Sequence, residues 1–357
     1  VTLILSNADV ENLLTMRECI EGFEKAYVEL AEGRALTRTR SDCIVPTGRD
    51  GALYSLKSMD GVIPGLGVGA VRIDSDLVTW PKQGDNIRRV KVPAASNGRY
   101  VGLVLLFSTE TGEPLAIMPD GVMQRMRVGA TSGLGAKHLA RENAATVGLL
   151  GSGWQAGAQV MAVCAVRKIA AIRCFSPTRS NREAFATEMQ SRVGVPITPM
   201  ESAEQAVRNA DIVLCATNAI DNVFFANWVE PGMHLSAIKP AEIEAPAIRR
   251  AERVIIHTAD TKPIHVMAAG VTTPDASGGK GWASAEKIDW AQFPTLPELV
   301  AGRVPGRGTD HEVTCFVNNL GLGFQFAAAG AIVVANARKR GVGRELPTDW
   351  FTQDVHP

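Results

Sequence analysis

The chain has 357 residues, 46% of them hydrophobic and 21% charged, which is enough for two cores of ordinary globular size. Its 37 basic residues balance 37 acidic ones, so composition argues against nucleic-acid or membrane-surface partners recruited by bulk charge. No apolar run reaches the ~18 residues of a membrane span, no basic stretch followed by an apolar core opens the sequence, and the six cysteines form no Cys-x-x-Cys pair. The expectation is a soluble cytoplasmic protein with buried free thiols and, since its histidines lack ligand spacing, no metal.

In chain order, Val1–Leu5 reads as a strand, and Ser6 or Asn7 caps a helix running to about Glu32, with Ile20, Phe23, Tyr27 and Leu30 on one face. Residues 38–58 alternate loosely as strands around a turn at Gly48 and Gly51, and Val68–Ile73 is a further strand. Residues 81–99 are polar and turn-rich, a length more often functional than idle, although a solvated insertion reads the same way. Tyr100–Phe107 and Pro114–Met118 form a hairpin about Glu110–Glu113, and Asp120-Gly121 starts a long helix to about Leu139. Strands near 146–150, 170–175, 210–216, 233–238 and 253–258 then alternate with helical stretches such as 182–192 and 203–209, the spacing of a parallel doubly wound sheet. From about Val313 to Arg340 the chain reads as helical. The fold class expected is α/β, a Rossmann-type domain at 129–318 inserted into an α+β substrate and dimerisation domain formed by 1–128 plus 319–357.

The chemistry centres on Thr146–Ala156. A short apolar run meets Gly151-Ser152-Gly153-Trp154-Gln155-Ala156 and continues into a helix, the order strand, glycine turn, helix that binds a dinucleotide. Gly151 permits the turn, Gly153 lets backbone approach a pyrophosphate, Ala156 allows close helix–strand packing, and the helix start offers free N–H groups to the phosphates. The second strand ends in Ser176-Pro-Thr178-Arg179 and carries no carboxylate to take a ribose 2′-hydroxyl. Hydroxyls and Arg179 suit a 2′-phosphate, so NADP is expected in preference to NAD; a solvated helix start at Arg179 and Arg182 is the alternative. Ala216, Thr217 and Asn218, after the third strand of this unit, complete the expected cofactor set.

With these residues placed, the chain resembles the ornithine cyclodeaminase/μ-crystallin family over most of its length. The resemblance is carried by Leu103–Ala116, Arg127–Leu139, Gly151–Ala156, Ala210–Thr217 and Trp228–His234 in that order. It implies a homodimer and hydride transfer between a nicotinamide and the α-carbon of a small-molecule amino or imino acid. It also implies a carboxylate-binding arginine at Arg127, with a second substrate arginine near Arg40. Two positions depart from the family pattern. Arg72 stands where a strand lysine is usual, and a guanidinium is a poor proton shuttle. Ala237-Ile-Lys239-Pro-Ala-Glu242 replaces a Gly-x-Asp, leaving Lys239 and Glu242 as shifted acid–base candidates beside a purely structural reading of that loop.

The activity expected is NAD(P)H-dependent reduction of a cyclic or linear imino acid, or oxidation of the matching amino acid, with Arg72, Lys239 and Glu242 as catalytic candidates. Ornithine cyclodeamination to proline and ammonia is the enzymatic alternative, and NADP-dependent small-molecule binding without turnover is the alternative of another class. The basic stretch Arg88-Arg89-Val-Lys91 suggests a second anionic group on the substrate, with Arg88 as a candidate contact.

Overall fold

The computed structural model describes residues 1–83, 86–87, 90–260, 263–273 and 284–355. These divide into two compact units, one of residues 1–127, 262–276 and 321–357, the other of residues 128–261 and 277–320.

The first unit is a mixed, mainly antiparallel sheet covered on one face by helices. Its strands run in the order Ile264–Met267, Ser41–Pro46, Ala52–Ile63, Val68–Thr79, Val101–Ser108, Pro114–Pro119, Thr2–Ile4 and Arg344–Leu346. The strand Val68–Thr79 alternates buried and half-buried residues, as the two-residue period of a strand with one covered face requires. Ala70, Arg72, Asp74, Asp76 and Val78 point to the buried side, beneath the helix Phe324–Arg340. That helix also packs on Met16–Ala31, where Tyr27 meets the Phe324 ring edge-on at 5.0 Å.

Three elements of this unit differ from the sequence expectation. The single helix expected to Glu32 is two, Asn7–Leu13 and Met16–Ala31, because Thr15 forms a capping box with Glu18 and restarts the helix. Residues 90–92 form a short strand on Val68–Thr79, so part of the expected loop is sheet. Ile264–Met267, numbered within the other unit's sequence, pairs in parallel with Ser41–Pro46 and belongs here.

The second unit is a seven-stranded, wholly parallel sheet in the order Ile197–Pro199, Ala171–Phe175, Thr146–Leu150, Ile212–Cys215, His234–Ala237, Thr314–Val317 and Arg253–Ile256. Apolar clusters lie on both faces, one including Val147, Leu149 and Ile172, the other Leu150, Val213 and Leu235, as a doubly wound sheet demands. Thr314–Val317 is a fully buried strand, not the expected start of the last helix. A four-residue segment buried at every position has no period that separates strand from helix. Strand order reverses on either side of Thr146–Leu150, so the switch point lies at the end of that strand.

Candidate functional site

The glycine turn sits at this switch point. Gly151 has φ +122°, its N–H donates to Phe175 O at 2.8 Å, and a Cβ there would overlap the Ala216 carbonyl oxygen. Only glycine meets both conditions. At Gly153 no described atom beyond its chain neighbours lies within 4 Å of where a Cβ would be, which leaves room for a ligand against the backbone. The helix Trp154–Val166 starts there without a side-chain cap, so its first N–H groups remain available to an anion. Ala156 is buried, Trp154 is exposed, and the Gln155 amide oxygen is buried with no partner among the described residues. This cradle fits the pyrophosphate of a dinucleotide.

At the end of the next strand, Ser152 Oγ donates to Ser176 Oγ at 2.8 Å, which ties the glycine turn to the second strand. Thr178 and Arg179 are exposed at the start of the helix Arg179–Val193, where Arg179 pairs with Glu183 at 2.7 Å. Arg182 is a correction to the solvated reading. It is buried, lies 5.8 Å over the Phe175 ring and donates to Ser176 O and Glu201, so it is a strut.

Ala216, Thr217 and Asn218 leave the third strand at the same carboxyl edge. Beneath them Glu242 is fully buried. One oxygen accepts from Thr217 N at 2.6 Å and Thr217 Oγ1 at 2.8 Å, and the other accepts from Ile238 N at 3.0 Å. Burial raises its pKa, an effect that Lys239 and these hydrogen bonds oppose. Lys239 donates to Ala219 O at 2.7 Å, and burial lowers its pKa. Both side chains pin the two loops that leave the sheet, and Glu242 has both oxygens committed to that task.

In the first unit two arginines share one aromatic ring. Arg127 is 6% exposed, its guanidinium donates to the amide oxygens of Gln124 and Gln325, and it lies 5.4 Å over the Phe326 ring. Arg72, 5% exposed, lies 5.6 Å over the same ring. Burial pushes the Arg127 pKa down to about 9, with the positive charges of Arg72 and then Arg40 adding to the effect. Arg40 pairs with the buried Asp42 at 2.8 Å, while Arg40 Nε and Asp42 Oδ1 are buried without partners among the described residues. A guanidinium buried beside like charges is a favourable partner for a carboxylate.

Arg72 is held by two carboxylates. Its Nε and Nη2 reach Asp120 Oδ2 at 2.7 and 2.6 Å, and Nη2 reaches Asp74 at 3.1 Å. Two carboxylates fix the guanidinium in one orientation, and that arrangement suits a clamp better than the proton carrier considered for this position. Arg88 and Arg89 lie outside the described residues. Lys91, expected to meet a second anionic group, instead pairs with Asp74 at 3.1 Å and Asp76 at 2.9 Å. The sequence reading passed over Lys57, Asp74, Asp76 and Asp120. The alternation Arg72-x-Asp74-x-Asp76 in a strand pattern was the signal that could have found the two strand aspartates, because a period of two puts them on the face of Arg72.

Fold and site together define an α/β protein in which a Rossmann-type sheet is joined, in one chain, to a mixed sheet bearing an arginine cluster. The chain belongs to the ornithine cyclodeaminase/mu-crystallin family, which it matches over residues 1–341. It is 28% identical over 349 residues to a Delta(1)-pyrroline-2-carboxylate reductase of Bacillus cereus, covering 96% of this chain and 99% of that protein. It is 26% identical over 351 residues to an alanine dehydrogenase of Archaeoglobus fulgidus, covering 97% and 98%. The structure of Thermococcus litoralis Delta(1)-pyrroline-2-carboxylate reductase in complex with NADH and L-proline is similar at a TM-score of 0.79 and 27% identity, covering 97% of this chain and all of that one.

Proposed function

We propose that this protein is an NAD(P)H-dependent reductase of α-imino acids, with five- and six-membered cyclic imines bearing a 2-carboxylate as its first candidate substrates. The reverse reaction is oxidation of the corresponding amino acid. The observation that carries the reading is that the buried guanidiniums of Arg127 and Arg72 lie over one ring, that of Phe326, at 5.4 and 5.6 Å. A bound reduced nicotinamide dinucleotide would supply the hydride. Gly151, Ser152 and Gly153 hold its pyrophosphate, and Ser176, Thr178 and Arg179 receive the 2′-phosphate that favours NADPH over NADH. Thr217, braced by Glu242, lines the carboxyl edge of the sheet. Arg127, Arg72 and Arg40 take the substrate carboxylate and orient the imine carbon. Four buried free thiols support a reducing, cytoplasmic setting. A homodimer is supported by the apolar outer face of the first unit's sheet, where Val45, Leu56, Val101 and Leu103 are each 39–45% exposed.

The test is oxidation of NADPH and NADH, followed at their ~340 nm nicotinamide absorbance, with pyrroline-2-carboxylate and piperideine-2-carboxylate. L-Ornithine is assayed in parallel for ammonia and proline. Loss of NADPH with a cyclic imine is expected. Ammonia and proline formed without net cofactor loss would overturn the reductase reading in favour of a cyclodeaminase, and tight NADPH binding without turnover of any imino acid would leave a binding protein.

A further inference from the structure

Six charged side chains crowd the buried side of the strands Ala52–Ile63 and Val68–Thr79: Lys57, Arg72, Asp74, Asp76, Lys91 and Asp120. The register sets Met59 opposite Arg72 and Lys57 opposite Asp74. Lys57 is 4% exposed; its Nζ donates to Asp76 Oδ2 and lies 3.3 Å from Asp74 Oδ2. That same Asp74 oxygen accepts from Lys91 at 3.1 Å and from Arg72 Nη2 at 3.1 Å. Burial pushes the Asp74 carboxyl up, but Arg72, Lys91 and Lys57 outweigh it and hold the group ionised well below the usual carboxylate range.

Three cations and three anions balance. A buried ion network of this kind contributes little net stability compared with apolar packing of the same volume, because desolvation consumes the Coulombic gain. Its effect here is geometric. Asp120 takes the Nε–Nη2 edge of Arg72 and Asp74 takes a second acceptor position on Nη2. Arg72 Nη1 is turned instead to the Met59 thioether at 4.0 Å, a weak acceptor that a carboxylate would displace. Two ammonium groups bridge Asp74 and Asp76, the buried Lys57 and the half-exposed Lys91, and offset the repulsion between the carboxylates.

We infer that Lys57 is a positioning residue for substrate binding: its ammonium locks Asp74 against Asp76, so that Asp74 and Asp120 together present the Nη1 donors of Arg72 to the substrate carboxylate. The inference rests on the reading of Arg72 as part of a carboxylate clamp. Lys91 Nζ also reaches Asp74 and Asp76, at 3.1 and 2.9 Å, but from a side chain 39% exposed. Removal of the buried Lys57 ammonium leaves that solvated bridge to restrain two carboxylates that repel, and loosens the hold of Asp74 on Arg72.

The test is Lys57→Met in the full-length protein, with Lys57→Arg as the conservative variant, pyrroline-2-carboxylate as substrate and pyrrole-2-carboxylate as an unreactive planar mimic. For Lys57→Met, KM for the imino acid and the inhibition constant of the mimic rise together by about tenfold. In that variant kcat and KM for NADPH stay within about twofold, and Lys57→Arg restores most of the loss. If Lys57→Met does not fold, Asp76→Asn, which weakens a shared partner of Lys57 and Lys91 but touches no ion pair of Arg72, is expected to give the same KM-only signature. A fall in kcat at unchanged KM, or a Lys57→Met protein indistinguishable from wild type, would overturn the inference alone. A wild-type protein inert toward every imino acid would overturn the functional reading, and the clamp with it.

Discussion

At the scale of single residues, the site is a matter of how much charge can be kept in one place. Arg127 is packed so closely that a Cβ on Gly321 would overlap its guanidinium, and Phe326 lies beneath it. Arg127→Lys keeps the charge but loses the planar fork and its two-point grip, which is worth roughly 2 kcal/mol for a charge-assisted pair. Steady-state kinetics of that variant should show KM for the imino acid up about 30-fold with KM for NADPH unchanged; an unaltered imino-acid KM would remove Arg127 from the clamp. The glycine turn was legible in the sequence from motif order, and Arg127 entered as a carboxylate-binding candidate from family resemblance alone. Lys57 was not, because a lone lysine in a strand pattern reads as a solvated side chain until the register sets Asp74 opposite it. Glu242 was read as an acid–base candidate, and the geometry gives it a bracing task because Thr217 and Ile238 occupy both of its oxygens.

At the scale of elements, what the sequence hid was pairing. The strand Ile264–Met267 is short and its partner lies more than two hundred positions away, so no local period reveals it. Thr314–Val317 was hidden by its complete burial. The parallel core was plain, and its seam has its own anchor in Asp211. One Asp211 oxygen accepts from Ala145 N and Thr146 N, each at 2.8 Å, the other accepts from Arg141, and the pair of strands Thr146–Leu150 and Ile212–Cys215 is thereby pinned at its start. Burial alone would raise the Asp211 pKa, yet these hydrogen bonds and Arg141 lower it below the ordinary value. A depressed folded-state pKa means stability that is fully present above the ordinary carboxylate value and is lost as pH falls through the lower one. Asp211→Asn should therefore cost about 1 kcal/mol in urea unfolding at neutral pH, the carboxylate being partly exposed and screened. The difference from wild type should shrink below about pH 4; a difference that stays constant through acid would show that the charge is not what matters.

At the scale of the whole molecule, one sheet face of the first unit is unaccounted for. Helix Phe324–Arg340 covers the side that carries Arg72, and the opposite side bears Val45, Leu56, Val101 and Leu103 on neighbouring strands. Leu103 lies opposite Ile73, Val101 opposite Ser75, and Ser75 opposite Leu56, so these residues share one face, an apolar strip broken by the Ser75 hydroxyl. Composition gave no hint of it, because a strand with one covered face and one apolar exposed face reads as a strand buried on both. Each such side chain gains roughly 1 kcal/mol or more from further burial, and a strip repeated on a second copy of the chain would bury itself by two-fold symmetry. Leu103→Glu would place a charge in the middle of that strip. Sedimentation velocity should find the wild type as a dimer and this variant shifted to monomer, with its far-ultraviolet circular dichroism retained because Leu103 is 39% exposed and supports little of the fold. A wild type that sediments as a monomer at micromolar concentration would leave the strip for some other partner and withdraw the dimer.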